Sequence, residues 1–240
     1  MDSFLIALQF LTRIPVRQQT AVDDAALGQS VLYYPLIGFL IGVLLSILAL
    51  ALSAGPDIVV AGIVVTAWAW LSGGLHLDGL ADCADAYVGG LGDRERSFQI
   101  MKDPASGPIA VMVLILVLLL KWAAVAVLIQ QNNLVCLMLA PLLGRTAILV
   151  LMLSTPYVSH KGIAEKLMQN LPYADARLVV LIALVFAGLM MGWVNVLLAG
   201  LVLLWVRNTA LSRLNGATGD VYGAAVELVE ASALLAVVLL

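Results

Sequence analysis

Charge is scarce in this sequence: Asp, Glu, Lys and Arg make up 11% of its 240 residues, against about a quarter in an ordinary soluble domain. With 63% of residues hydrophobic, too little polar surface remains to cover a globule in water, and the lipid bilayer becomes the expected solvent. Cysteine is nearly absent. Cys83 lies in an acidic segment and Cys136 in an apolar run, which excludes a disulfide framework and reads as two unpaired thiols. No basic residue precedes the first apolar stretch, so no cleaved signal peptide is expected. A net charge of -3 argues against a nucleic-acid partner. No repeat, low-complexity stretch or second domain interrupts the chain, which reads as a single integral membrane domain over 1–240.

What is abundant is apolar sequence in long runs. Seven segments are expected to cross the bilayer as helices, at 31–54, 56–75, 107–130, 134–153, 177–191, 193–206 and 221–240, given the roughly 20 residues a crossing needs. The fifth and sixth are short and read as a tilted pair or a hairpin joined at Gly192-Trp193. Phe4 to Ile14 is too short to cross and reads as an interfacial or re-entrant helix. The fold expected is an all-α, polytopic membrane helix bundle. Gly38 with Gly42, and Gly188 with Gly192, are small-xxx-small pairs suited to close helix packing. Pro35 and Pro141 fall within spans, where neighbouring helices must satisfy freed backbone groups.

Basic residues set the orientation. With residues 12–30 in the cytoplasm, the loops 76–106, 154–176 and 207–220 share that side. Those regions and their span edges hold Arg13, Arg17, Arg94, Arg96, Lys102, Lys161, Lys166, Arg177, Arg207 and Arg213, ten of the twelve Lys and Arg. The opposite side receives tight turns near 55, 131–133 and 192, none carrying Lys or Arg. A multi-pass protein of the cytoplasmic (inner) membrane follows, with the N-terminus and the chemistry on the cytoplasmic side.

The strongest chemical signal runs from Gly73-Gly74 through His76-Leu77-Asp78-Gly79-Leu80-Ala81-Asp82 to Asp85. At 100° per residue, Asp78, Asp82 and Asp85 fall within an arc of roughly 60° on a helix. Three like charges on one face repel, and a bound cation would relieve them. Carboxylate oxygens suit a hard ion such as Mg²⁺, which borrows further ligands from substrate phosphates. A solvated acidic turn is the plainer reading, but Gly73, Gly74 and Gly79 allow close backbone approach to a ligand. His76 would point away from that face on a helix; it is a base or phosphate ligand if the segment unwinds, or a structural hydrogen-bonding group. Met101-Lys102-Asp103 precedes a span and can offer positive charge to a phosphate. Gly216-Ala217-Thr218-Gly219-Asp220 combines glycines, a hydroxyl and a carboxylate before the last span.

Lys121, Arg145, Glu227 and Glu230 lie inside spans. A charge there costs about 2.5–3.5 kcal/mol unless matched. Arg145 is therefore expected either to pair with Glu227 or Glu230 or to line a substrate cavity.

Together these motifs resemble the cobalamin synthase family. The resemblance is carried by Phe10-Leu11-Thr12-Arg13-Ile14-Pro15-Val16, Tyr34-Pro35-Leu36-Ile37-Gly38, and the run from Gly74 to Asp82. Met101-Lys102-Asp103 with Gly107, Thr218-Gly219-Asp220, and Gly223 to Leu228 complete it. Ala86 and Ala110 stand where the family usually has glycine. The resemblance implies a Mg²⁺-dependent transferase late in adenosylcobalamin synthesis. It would join adenosylcobinamide-GDP to α-ribazole or its 5′-phosphate and release GMP. Asp78 and Asp82 would then hold the metal, with Asp85 as a third or supporting ligand. Lys102 would contact the diphosphate, with Gly74, Gly79, Thr218, Gly219 and Arg145 lining the substrate site. Asp103 or Asp220 would complete the metal's shell or accept the hydroxyl proton. Partners would be these substrates and the bilayer, with a homo-oligomer or a complex with other corrinoid-pathway enzymes left open. Two rival readings are a CDP-alcohol phosphotransferase and a cation-coupled transporter. Asp82 stands where the first needs an arginine, and the absence of repeated halves counts against the second.

Overall fold

The computed structural model describes residues 2–16, 23–159 and 163–240, so Arg17 and Lys161 of the basic set lie outside the described residues. The described chain is helical. In order come α1 (Asp2–Leu11), α2 (Asp24–Ser30), α3 (Tyr34–Ala51), α4 (Asp57–Leu71), α5 (Leu75–Gly89) and α6 (Arg94–Met101). They are followed by α7 (Pro108–Gln130), α8 (Leu134–Ser154), α9 (Ile163–Gln169), α10 (Tyr173–Met191), α11 (Trp193–Leu214) and α12 (Gly219–Leu239). The stretch from Asp24 to Ala51 and helices α7, α8, α10, α11 and α12 are long and apolar enough to cross a membrane; α4 with α5, bent by 88°, brings the number to seven. The architecture is that of a multi-pass membrane bundle.

α8 and α12 form its centre. Their sides are mostly buried, whereas α7, α10 and α11 turn most of theirs outward. Small residues allow the central packing. Ala140, Gly144 and Ala147 on α8 and Gly223, Ala225 and Ala233 on α12 are buried. Gly38 and Gly42 press directly on the backbone of Pro141 and Met138, where a Cβ would collide, as the small-residue pair requires. Outward leucines such as Leu119, Leu181 and Leu201 suit a lipid surround.

Several expectations are corrected. Residues 24–30, read as loop, are helical and lead through a 3₁₀ turn into α3. Pro35 sits in the first turn of α3, where its missing N–H is harmless. The fifth and sixth spans are not short: α10 and α11 have 19 and 22 residues. Asp175, Arg177, Arg207 and Arg213 are helical residues at their ends, so hydropathy alone trimmed them. Gly188 and Gly192 do not act as one packing pair. Gly188 makes room for the Trp193 ring, and Gly192, at φ +91°, turns the chain.

The bundle gathers its functional segments at one end. Ala217 is bonded to the 156–158 segment through Ala217 N–H to Pro156 O at 2.8 Å and Val158 N–H to Ala217 O at 3.0 Å. The Arg213 guanidinium lies 4.8 Å from the centre of the Tyr87 ring, which ties α11 to α5. Gly28 of α2 sits against the backbone of Asn170 beyond α9.

Candidate active site

α4 stops because Ser72-Gly73-Gly74 cannot continue it. Gly73 and Gly74 take φ of +65° and +73°, a region that costs other residues a Cβ clash. Their N–H groups bond back to Trp70 O and Ala69 O in the manner of a Schellman cap. The chain leaves this corner as α5, turned 88° from α4, and packs against α7 and α12.

Gly79 sets how closely α5 approaches α12. A Cβ there would lie 2.7 Å from Asp220 O, and one at Gly223 would lie 3.1 Å from His76 O. This backbone contact brings Asp220 to the acidic face. Burial, then Asp220, Asp78 and Asp85 in turn, push the Asp82 carboxyl up to about 6. The mutual effect marks a cluster of carboxylates without neutralising cations; Asp78, Asp82 and Asp220 have no ion pair among the described residues. Among the described residues no three His, Cys, Asp or Glu side chains converge to bind an ion by themselves. The set of exposed Asp78 with half-buried Asp82 and Asp220 fits an ion that takes few protein ligands and completes its shell with water and phosphate.

Asp85 is employed differently. Its Oδ2 accepts Gly107 N–H at 2.5 Å and its Oδ1 accepts Ala110 N–H at 2.9 Å. It caps α7 and so fixes the far end of α5, a role that supports the site more than it supplies a free ligand. Lys102 ends α6, and Asp103 follows it in the loop before α7; both side chains are exposed. Asp103 Oδ1 accepts Ala105 N–H at 3.0 Å. Thr218 is buried and caps α12 by accepting Val221 N–H at 3.3 Å, while its hydroxyl donates to Asp220 Oδ2 at 3.3 Å. It therefore orients Asp220. Gly219 is exposed beside it, and Gly74 opens onto free space.

The structure does not bring His76 or Arg145 to the carboxylate face. α5 does not unwind at His76, which is 2% exposed and faces inward, Nδ1 lying 3.4 Å from Arg145 Nη2. Arg145 is fully buried and pairs with Glu230, the pairing alternative stated above. Lys121 is the partner that sequence reading missed. Its Nζ lies 2.6 Å from Glu227 Oε2 and 2.5 Å from Glu230 Oε2, and 4.5 Å from the centre of the Trp68 ring. Two cations and two anions balance, and counting them would have shown that two buried glutamates need more than one arginine. A Cβ at Gly144 would lie 2.7 Å from Glu230 Cγ, so that glycine admits the pair.

On its other face α5 covers an apolar cavity of about 240 Å³ bounded by α7, α11 and α12. Cys83 and Cys136 are free thiols.

The family model described as cobalamin-5-phosphate synthase matches residues 3–238. The adenosylcobinamide-GDP ribazoletransferase of Pseudomonas putida strain GB-1 is 51% identical over 239 residues, which is 100% of this chain and 99% of that one. The proteins of that name from Pseudomonas fluorescens strain Pf-5 and Pseudomonas aeruginosa strain PAO1 are 50% and 47% identical, again over 100% of this chain and over 100% and 98% of their own. No solved structure matches. The chain belongs to the cobalamin-5-phosphate synthase family.

Proposed function

We propose that this enzyme joins adenosylcobinamide-GDP to α-ribazole, or to its 5′-phosphate, and releases GMP, with Mg²⁺ held on the acidic face of α5. The observation that carries the reading is the meeting of Asp78, Asp82 and Asp220 at the Gly79 contact, in a chain about half identical, end to end, to proteins of that name. Asp78 and Asp82 would hold the metal and Asp220 would complete the carboxylate set. Mg²⁺ bound there would offset the charge of the donor's diphosphate. The acceptor's ribose hydroxyl oxygen attacks the phosphorus on the cobinamide side. The bond from that phosphorus to the GMP oxygen breaks, and the hydroxyl proton passes to a carboxylate of the set. Such a transfer needs positioning and charge stabilisation, and no covalent intermediate. Lys102, exposed at the end of α6, would meet the same substrate charge.

Purified protein supplied with adenosylcobinamide-GDP, each acceptor and Mg²⁺ should release one GMP for every cobalamin formed. Acceptor-independent hydrolysis alone, or no release at all, would overturn the assignment.

Acid should weaken the metal's hold. The Asp82 carboxyl, raised to about 6, must lose its proton to bind a cation. The Mg²⁺ concentration for half-maximal rate should therefore rise as pH falls through 6, by up to about tenfold per unit for one competing proton. A half-saturation independent of pH between 5 and 7 would remove Asp82 from the metal's ligands. The sign for folding is opposite to that of a paired carboxylate: with its folded value raised, Asp82 favours the fold most below its unfolded value, and that contribution is lost as pH rises to 6.

The site end faces the cytoplasm in this proposal, since eight of the ten described Lys and Arg lie outside the apolar cores of the spans and mark the cytoplasmic side. Single cysteines near 94, 165 and 215, in a chain lacking Cys83 and Cys136, should label only from the cytoplasm, and those at Gly55 or Asn132 only from outside. Labelling of position 94 in intact cells would invert the topology.

A further inference from the structure

We propose that Arg13 binds a substrate phosphate at the Asp78 end of α5. The inference rests on the transferase reading above and adds the residue that holds one end of its phosphate chemistry.

Arg13 follows α1, and its backbone is fixed to the corner between α4 and α5: its N–H donates to Leu71 O at 2.8 Å, and Thr12 N–H donates to Leu8 O at 3.0 Å. Its side chain crosses Gly73, where a Cβ would strike it. Glycine at 73 thus serves both the positive φ and the passage of the arginine stem. Beyond that stem is a cavity of about 420 Å³ bounded by Phe10, Thr12, Arg13, Ser72, Gly74 and Asp78, among others. That volume lies within the roughly 300–1,000 Å³ of ligand pockets. Arg13 is exposed and makes no ion pair among the described residues, although Asp78 borders the same cavity. A guanidinium that borders the same cavity as Asp78 without pairing with it remains free for an anion, and its fork of N–H donors matches phosphate oxygens.

The distances suit a substrate laid along α5. From Asp78 to Asp85 the helix rises about 10 Å, and Lys102 precedes by five residues the Gly107 whose N–H Asp85 accepts. Both substrates bring phosphate, the donor its diphosphate and the phosphorylated acceptor its 5′-phosphate, and either would meet the same chemistry at Arg13.

The test uses full-length protein in detergent with Arg13→Met, which keeps the stem that packs on Gly73, and Arg13→Lys, which keeps the charge. Binding of inorganic pyrophosphate and of GMP is measured calorimetrically with and without Mg²⁺, and KM is measured for the donor and for each acceptor. Arg13→Met should weaken binding or raise one KM by ~10- to 100-fold, the loss expected of charge-assisted hydrogen bonds. Arg13→Lys should recover part of it. Loss that follows GMP and the donor places the donor's phosphate at Arg13. Loss of preference for the 5′-phosphate over α-ribazole places the acceptor's there. Unchanged binding and KM values in Arg13→Met, or a fall in kcat alone, would overturn the proposal. A wild type without transferase activity would sink the functional reading, while its pyrophosphate affinity against that of Arg13→Met would still decide Arg13.

Discussion

Arg145→Met is expected to cost about 3–5 kcal/mol of stability, the loss typical when one partner of a buried ion pair is removed. Arg145, Lys121, Glu227 and Glu230 are each at most 4% exposed and lie on three spans. With Arg145 gone, two glutamates share one lysine, and the excess negative charge has no water to face. Adding Glu230→Gln restores the balance and leaves Lys121 with Glu227, so much of the loss should return. Glu227→Gln restores the same net charge but not the same contact, because Arg145 touches Glu230. Its coupling to Arg145 should be smaller. The double-mutant cycles are read as thermal stability in detergent. Strict additivity with both glutamates would mean that the four charges do not act together. The His76 contact with Arg145 joins this network to α5, so partly folded Arg145→Met protein should also lose turnover.

How far the sequence led differs from feature to feature, for physical reasons. The acidic face of α5 was legible because helical spacing is local: Asp78, Asp82 and Asp85 share a side whatever surrounds them. The duty of Asp85 was not, since its partners Gly107 and Ala110 are 22 and 25 residues away and only the fold brings a helix N-terminus to it. The crossing helices were visible as apolar runs, yet α10 and α11 were cut short because charged ends such as Arg177 and Arg213 look like loop to a hydropathy reading. The Arg145 pairing followed from the cost of a lone charge in lipid. The role of Lys121 did not, because charge balance names the number of partners and not their arrangement. Arg13 stood in the N-terminal motif, but its position over Gly73 is a tertiary contact that no spacing encodes.

Loss of Asp82's charge should stop the reaction while the bundle stays intact. Asp82 is half-buried and its carboxylate repels its neighbours, so removing the charge relieves the fold and harms only what the cluster binds. Asp82→Asn keeps the shape and deletes a ligand. Asp78→Ala deletes another from the exposed end of the same face. Each should lower turnover by roughly 100- to 1,000-fold or more, the scale of losing one electrostatic stabiliser in a transfer site, with thermal stability equal to or above that of the wild type. Raised Mg²⁺ should recover part of the Asp82→Asn rate if weakened metal binding is the cause. The decisive measurement is GMP release from adenosylcobinamide-GDP and α-ribazole by folded Asp82→Asn protein beside the wild type, at the Mg²⁺ concentration that saturates the wild type. Near-complete loss is expected, and turnover close to the wild-type rate would contradict a metal held on the acidic face of α5.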